Sequence, residues 1–281
     1  MRWTRDSVAM VRSWPWSLWI RQVRAIVRLE LKRNFFSRRS FFIYLLALAP
    51  VLAMSFKFAI RLDLQEVGGT SVVFAAMYRA FFLRLVIFFA SIGVFMKLFR
   101  GEILERTLHF YFLAPVRREV LVVGKYLSGV AMNSIIFGAS AVASYLILFA
   151  ATGATQLQEF VFKGPGMGHL MAYVGVTVLA CIGYGSVFLL MGLLFRNPIV
   201  PAAAILGWEY INFLLPPLLK KFSVIFYLES LCPVPIPMGP FTVLAEPAPL
   251  WLALPGLLGL TAAVLLAAGF MIRRMEVLYE E

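Results

Sequence analysis

Apolar residues gather along this chain into six blocks separated by short polar or basic stretches: Phe41–Ile60, Met77–Leu98, Tyr126–Ala151, His169–Phe195, Ile199–Leu219 and Leu250–Ile272. An α-helix rising ~1.5 Å per residue needs ~20 apolar residues to cross ~30 Å of hydrocarbon. Each block meets that length. The pattern predicts an all-α integral membrane protein with six transmembrane helices.

The segments between the blocks have patterns of their own. From Trp16 to Arg33 the apolar residues Trp16, Trp19, Ile20, Val23, Ile26, Val27 and Leu31 recur at spacings of three and four, with Arg21, Arg24, Arg28 and Lys32 largely opposite. That periodicity predicts an amphipathic helix at the membrane surface, anchored by tryptophan. Residues 1–40 thus form an N-terminal elbow region, and residues 41–281 the six-span domain. The longest connection on the same side, 100–125, interleaves apolar residues with charges. It reads as a helix over Glu102–Leu113, a break at Ala114-Pro115, and a second helix from Arg118 to Lys125 leading into the third span. Segment 220–249 is both greasy and rich in proline, which predicts a short interfacial or re-entrant helix near Phe222–Leu231 and then an irregular crossing. Within the spans, Ser134/Gly138, Cys181/Gly185 and Gly259/Ala263/Ala267 place small residues four apart, a signal for close helix approach.

Composition agrees with the blocks: 62% of residues are hydrophobic and only 14% charged, against ~25% charged in soluble domains. The net charge of +12 raises the question of nucleic acid, but the basic residues flank spans, where anionic lipid headgroups are the natural partner. Their distribution sets an orientation. Ten Lys/Arg precede Phe41 and six lie in Lys97–Lys125, with Arg196, Arg273 and Arg274 on the same side. Seven (Lys57, Arg61, Arg79, Arg84, Lys163, Lys220 and Lys221) fall on or near the other. Excess Lys/Arg marks the cytoplasmic side, so both termini are expected inside a cell membrane, bacterial cytoplasmic membrane being the expected setting. The only apolar run before Arg21 is Trp14–Ile20, too short for a signal-peptide core. Cys181 and Cys232 are placed too differently to suggest a disulfide.

Catalytic patterns are sparse. Two histidines, His109 and His169, belong to no metal-binding spacing. Neither a GxSxG elbow nor a GxxxxGK[ST] phosphate loop is present. ATP bound in the P-loop manner would therefore require another polypeptide.

The 100–125 connection carries a resemblance. Gly101-Glu102-Ile103-Leu104-Glu105-Arg106-Thr107-Leu108, then Leu113-Ala114-Pro115-Val116-Arg117-Arg118-Glu119, then Gly124-Lys125-Tyr126-Leu127 resembles the permease subunits of type-2 ABC exporters. Those proteins show an acidic residue, a Gly-Thr shortly after, Leu-x-x-Pro-[Val/Leu] followed by polar or basic residues, and Gly-Lys opening the third span. Arg106 stands here where the family often has glycine. Six spans, a basic elbow and a broken outer segment before the last span extend the resemblance over the chain. It implies a coupling helix docked in a cleft of a separate ATPase subunit, which binds ATP and Mg, and a partner permease that is a second copy or a paralogue. Carried onto this sequence, the docking residues are charged Glu102, Glu105, Arg106, Arg117 and Arg118, and apolar Leu108, Phe110, Phe112 and Leu113, with Pro115 at the break. A solvated loop with lipid contact is the blander reading of the same stretch.

One further position stands out by cost. Glu209 falls at the centre of Ile199–Leu219, where an ionisable group costs roughly 2.5–3.5 kcal/mol on insertion scales. Tyr210 and Asn212 are polar neighbours, and Arg84 is a candidate partner. Glu209, Asn212 and Arg84 are thus candidates for a translocation pathway, with a helix-contact role for Glu209 and outward snorkelling of Arg84 as the alternatives. On an α-helix the Arg79–Arg84 spacing turns ~140°, so the two should not share a face. A permease for a hydrophobic or lipid-like substrate is the leading expectation, and a non-transporting membrane scaffold coupled to an ATPase the second. An intramembrane enzyme acting on lipid or prenyl chains would need clustered carboxylates, which the spans lack.

Overall fold

The computed structural model describes residues 16–35, 40–59, 67–104, 113, 116–150, 152–153, 158–195, 197, 199–236 and 248–274. Helices dominate, and no strand occurs among the described residues. In chain order they are α1 (Trp16–Phe35), α2 (Phe41–Ala59), α3 (67–104), α4 (Arg118–Ala150), α5 (Gly166–Leu194), α6 (Ile199–Tyr210), α7 (Val224–Ser230) and α8 (Leu250–Arg274). Four stretches are long and apolar enough to cross a membrane: Gly68–Gly101, Arg118–Ala150, Gly166–Leu194 and Leu250–Arg274. The apolar part of α2, Phe41–Lys57, is shorter.

The fifth apolar block does not form one helix. It stops at Tyr210, passes through a 3-10 turn at Asn212–Leu214, and resumes as a single turn at Pro217–Lys220. Proline explains the break. Pro216 and Pro217 donate no backbone hydrogen bond, and each disfavours helix at the residue before it. Leu215 is accordingly extended, with φ −75° and ψ 149°. The chain then returns as α7, which packs against α3, α5 and α8. Hydrophobicity alone could not distinguish this doubled-back path from a straight span, because both keep the same residues out of water.

α3 departs from ideal geometry in a second way. Tyr78–Ile87 and Ile92–Met96 are π-helical, joined by α-helical Phe88–Ser91. Aromatic packing holds the first of these stretches. The Tyr78 hydroxyl bonds the Tyr173 carbonyl and Thr177 Oγ1, both at 2.8 Å. Phe74, Tyr78, Tyr145 and Tyr173 meet ring to ring at centroid distances of 4.6–5.9 Å, within the preferred range of aromatic pairs.

Helices approach closely where glycine permits. Phe95 of α3 is fully buried between α4 and α5. A Cβ added to Gly129 or Gly185 would come within 2.6 or 2.5 Å of its ring. α7 fits a similar notch: a Cβ on Gly183 would meet Val224 at 2.8 Å, and one on Gly256 would meet Tyr227 at 2.5 Å. Of the spaced small residues expected to mediate packing, Gly185 does so, whereas Gly138 and Gly259 face open space. Spacing marks a face; only the neighbour's bulk decides whether that face is used.

α1 lies against α4, as a docked helix rather than a free surface one. Glu30 and Lys125 are the reason. Both are fully buried, and Lys125 Nζ lies 2.8 Å from Glu30 Oε1 and 3.1 Å from the Leu98 carbonyl at the end of α3. Gly124 lets α1 come in: a Cβ there would be 2.9 Å from Ile26 Cγ2. The Gly-Lys dipeptide at the root of α4 therefore has a packing purpose on both residues.

Candidate functional site

Two groups of the expected site residues occupy different levels of the bundle, one at its foot and one near the middle of α3 and α5. At the end that carries α1, termed the foot, helix α3 ends at Leu104 and α4 starts at Arg118. The boundary at Arg118 agrees with the expected second helix of the connection. Glu105, Arg106, Leu108, Phe110, Phe112 and Pro115 lie outside the described residues, and Glu102 is described only as part of the α3 backbone. Leu113 is exposed.

The described end of the connection is bound to its own chain. The Arg117 guanidinium stacks 4.8 Å from the centroid of the Trp19 ring on α1. Arg118 donates to the carbonyls of Ile272 and Arg273, both at 3.1 Å. These are last-turn carbonyls of α8, which lack helical partners and favour a cation. Glu119 pairs with Arg273. Three consecutive residues thus join α4 to α1 and α8, and Lys125 two turns on joins it to α1 and α3.

Near the middle of the long helices, Glu209 occupies the last turn of α6 and is 4% exposed. Its carboxylate accepts hydrogen bonds from Ser223 Oγ (2.6 Å), Val224 N (3.0 Å) and Ile225 N (3.0 Å). Those amides open α7, where a helix leaves N–H groups unsatisfied and favours negative charge. Glu209 therefore fastens α7 to α6, acting across space as a cap. Asn212 is buried beside it in sequence.

Arg84 pairs with a different acid from the one expected. Its Nε and Nη2 donate to Glu229 Oε1 at 3.1 and 2.7 Å, and its guanidinium lies 5.5 Å from the Tyr210 ring centroid. Arg79 Nη2 donates to the Val234 carbonyl at 2.8 Å. Both arginines reach the same segment, contrary to the ~140° divergence of an α-helix. The π-helical backbone is the cause: its i→i+5 bonding brings residues five apart into line.

α7 is thus held at its start by Glu209 and at its end by Arg84, with Arg79 just beyond. Ser230 Oγ also accepts from Ala248 N at 2.9 Å, tying the start of α8 to the same helix. No cluster of three or more His, Cys, Asp or Glu able to hold a metal occurs among the described residues.

Three participants escaped the sequence reading: Glu30, Glu229 and the role of Lys125. Glu30 left a trace, being the one acid in α1 and falling three or four residues after Ile26 and Val27, on the apolar stripe. An acid on such a face requires a buried cation. Glu229 is likewise the one acid of α7, but its partner could not be read without the π register. Comparison with protein-family models and with curated proteins returns no match, so the placement of this chain rests on its own residues.

Proposed function

We propose that this chain is the permease subunit of an ATP-binding-cassette exporter, moving a hydrophobic or lipid-like substrate across a cell membrane. A separate ATPase subunit supplies the ATP site, and a second permease copy or a paralogue completes the pathway. The observation that carries this reading is the tie at the foot. Residues 117–125, which immediately follow the motif-bearing connection, are bonded to α1, α3 and α8 at once. A push that arrived at Arg117 would pass to three helices at once. Six spans fit this arrangement if α2 crosses and if α6 and α7 together carry the chain across once, α6 through one half and α7 through the other.

α7 supplies a second fastened element, at the middle of the bundle. Its two pins, Glu209 and Arg84, are polar groups within an apolar bundle, the setting in which pathway and gating residues occur. The decisive experiment is co-purification of the chain with a soluble P-loop ATPase encoded beside it, followed by reconstitution and a ligand screen. Stimulation of ATP hydrolysis by one compound, with vectorial movement of that compound, supports transport. Stable association without stimulated turnover or movement supports the scaffold role instead. Failure to associate with any ATPase removes the reading.

A further inference from the structure

Between α1, the root of α4 and the end of α8 lies an open groove of about 620 Å³, within the ~300–1,000 Å³ typical of small-ligand sites. Its walls are apolar, chiefly Ile20 and Val23 of α1 and Val120 and Val123 of α4. Ile20 and Val123 are 58% and 43% exposed. The rim is cationic. Arg24 and Arg117 form no ion pair among the described residues, while the third rim arginine, Arg273, is paired with Glu119, whose charge also acts on Arg117. The groove therefore presents three guanidinium groups against one carboxylate, a net positive rim above a hydrophobic channel.

Position limits what can fill it. Trp16 and Trp19 flank the groove and touch edge to face at 5.1 Å, and tryptophan of this kind sits at the headgroup level. Beside it, Arg21, Arg28 and Lys32 continue the same positive face of α1. An occupant must combine one negative charge, able to accept from two arginines, with an apolar body directed towards the bundle. We propose that the groove holds a single anionic glycerophospholipid of the leaflet that carries α1, with its phosphate between Arg24 and Arg117 and an acyl chain along Val23, Val120 and Val123. The lipid fills the seam between the elbow helix and the third long helix, stabilising their contact next to the Glu30–Lys125 pair. This site depends on the membrane placement of α1 and is independent of any ATPase.

The test uses the full chain in mild detergent, titrated with phosphatidylglycerol or phosphatidylcholine and followed by native mass spectrometry. One phosphatidylglycerol should be retained in preference to phosphatidylcholine, and inorganic phosphate should not displace it. Arg24→Gln with Arg117→Gln should weaken retention by about tenfold or more, since hydrogen bonds to charged groups are lost. Val123→Trp, which fills the channel and leaves both arginines, should also expel the lipid; Arg28→Gln should leave it bound. Equal retention of the two lipids overturns the proposal, as does retention unchanged by the double substitution and by Val123→Trp. An equal loss in Arg28→Gln would mean diffuse attraction to a basic surface. Lipid binding that appears only after removal of residues 275–281 would assign the groove to the chain's own acidic tail.

Discussion

Glu30 and Lys125 show how much one pair of side chains can decide in an apolar bundle. Each is wholly buried, so neither has water to solvate its polar head. Removing one partner strands the other, a loss of about 3–5 kcal/mol, whereas replacing both with apolar groups of similar volume is often neutral. Lys125→Met alone should therefore depress thermal stability in detergent sharply, and Glu30→Leu added to it should restore most of the loss. Additive losses in that double-mutant cycle would show that the two do not act as a pair. Glu209 poses a different question, because its three donors include two backbone amides that only proline would remove. Glu209→Gln keeps an acceptor oxygen and should preserve assembly while impairing transport or its coupling to ATP hydrolysis. Unchanged transport would leave Glu209 as a fastening of α7 alone.

Among elements, α3 and α7 depend on each other through an irregular register. The π-helical turn spanning Tyr78–Ile87 lines up Arg79 and Arg84 on the segment 229–234. Inserting one alanine after Ala80, which points outward, sets the two arginines six positions apart and should turn Arg79 away from Arg84, by ~120° at α-helical pitch. α7 would then lose a pin, and the half-buried thiol of Cys232 should react faster with a maleimide than in the parent chain. An unchanged rate would mean that the register does not hold α7. Such a register could not be read from the sequence, because residue spacing is converted to direction by an assumed pitch. The boundaries of α1, the start of α4 at Arg118 and the short helix at α7 were legible for the opposite reason. Each follows from periodicity or proline chemistry acting locally. The break after Tyr210 carried its signal in Pro216 and Pro217, outweighed by an apolar run of spanning length.

Seen whole, the molecule places the charged ends of α1, α4 and α8 together, with α7 packed against α3, α5 and α8 part-way along the bundle. Sidedness follows from those contacts once a membrane surrounds the bundle. Cysteines introduced at Arg117 and Arg274 should be labelled from one side of sealed vesicles, and one at Lys163 from the other. Labelling of Arg117→Cys and Lys163→Cys from the same side would contradict a membrane-crossing course for α4. The two long-range features that sequence could not supply, the Glu30–Lys125 pair and the Arg84–Glu229 pair, join residues 95 and 145 positions apart. No local pattern contains such partners; only folding brings them within reach.

Phe95 has a mechanical consequence of its own. Its ring is the spacer on which two long rods, α4 and α5, rest through Gly129 and Gly185. The two rods also meet directly along their length, so a pivot at the ring would act as a see-saw within that seam, one end opening as the other closes. Phe95→Ala should abolish that see-saw: spin labels near the two extremities of the rods would lose their opposed distance changes. Changes that stay opposed in the alanine variant would mean that the fulcrum lies elsewhere.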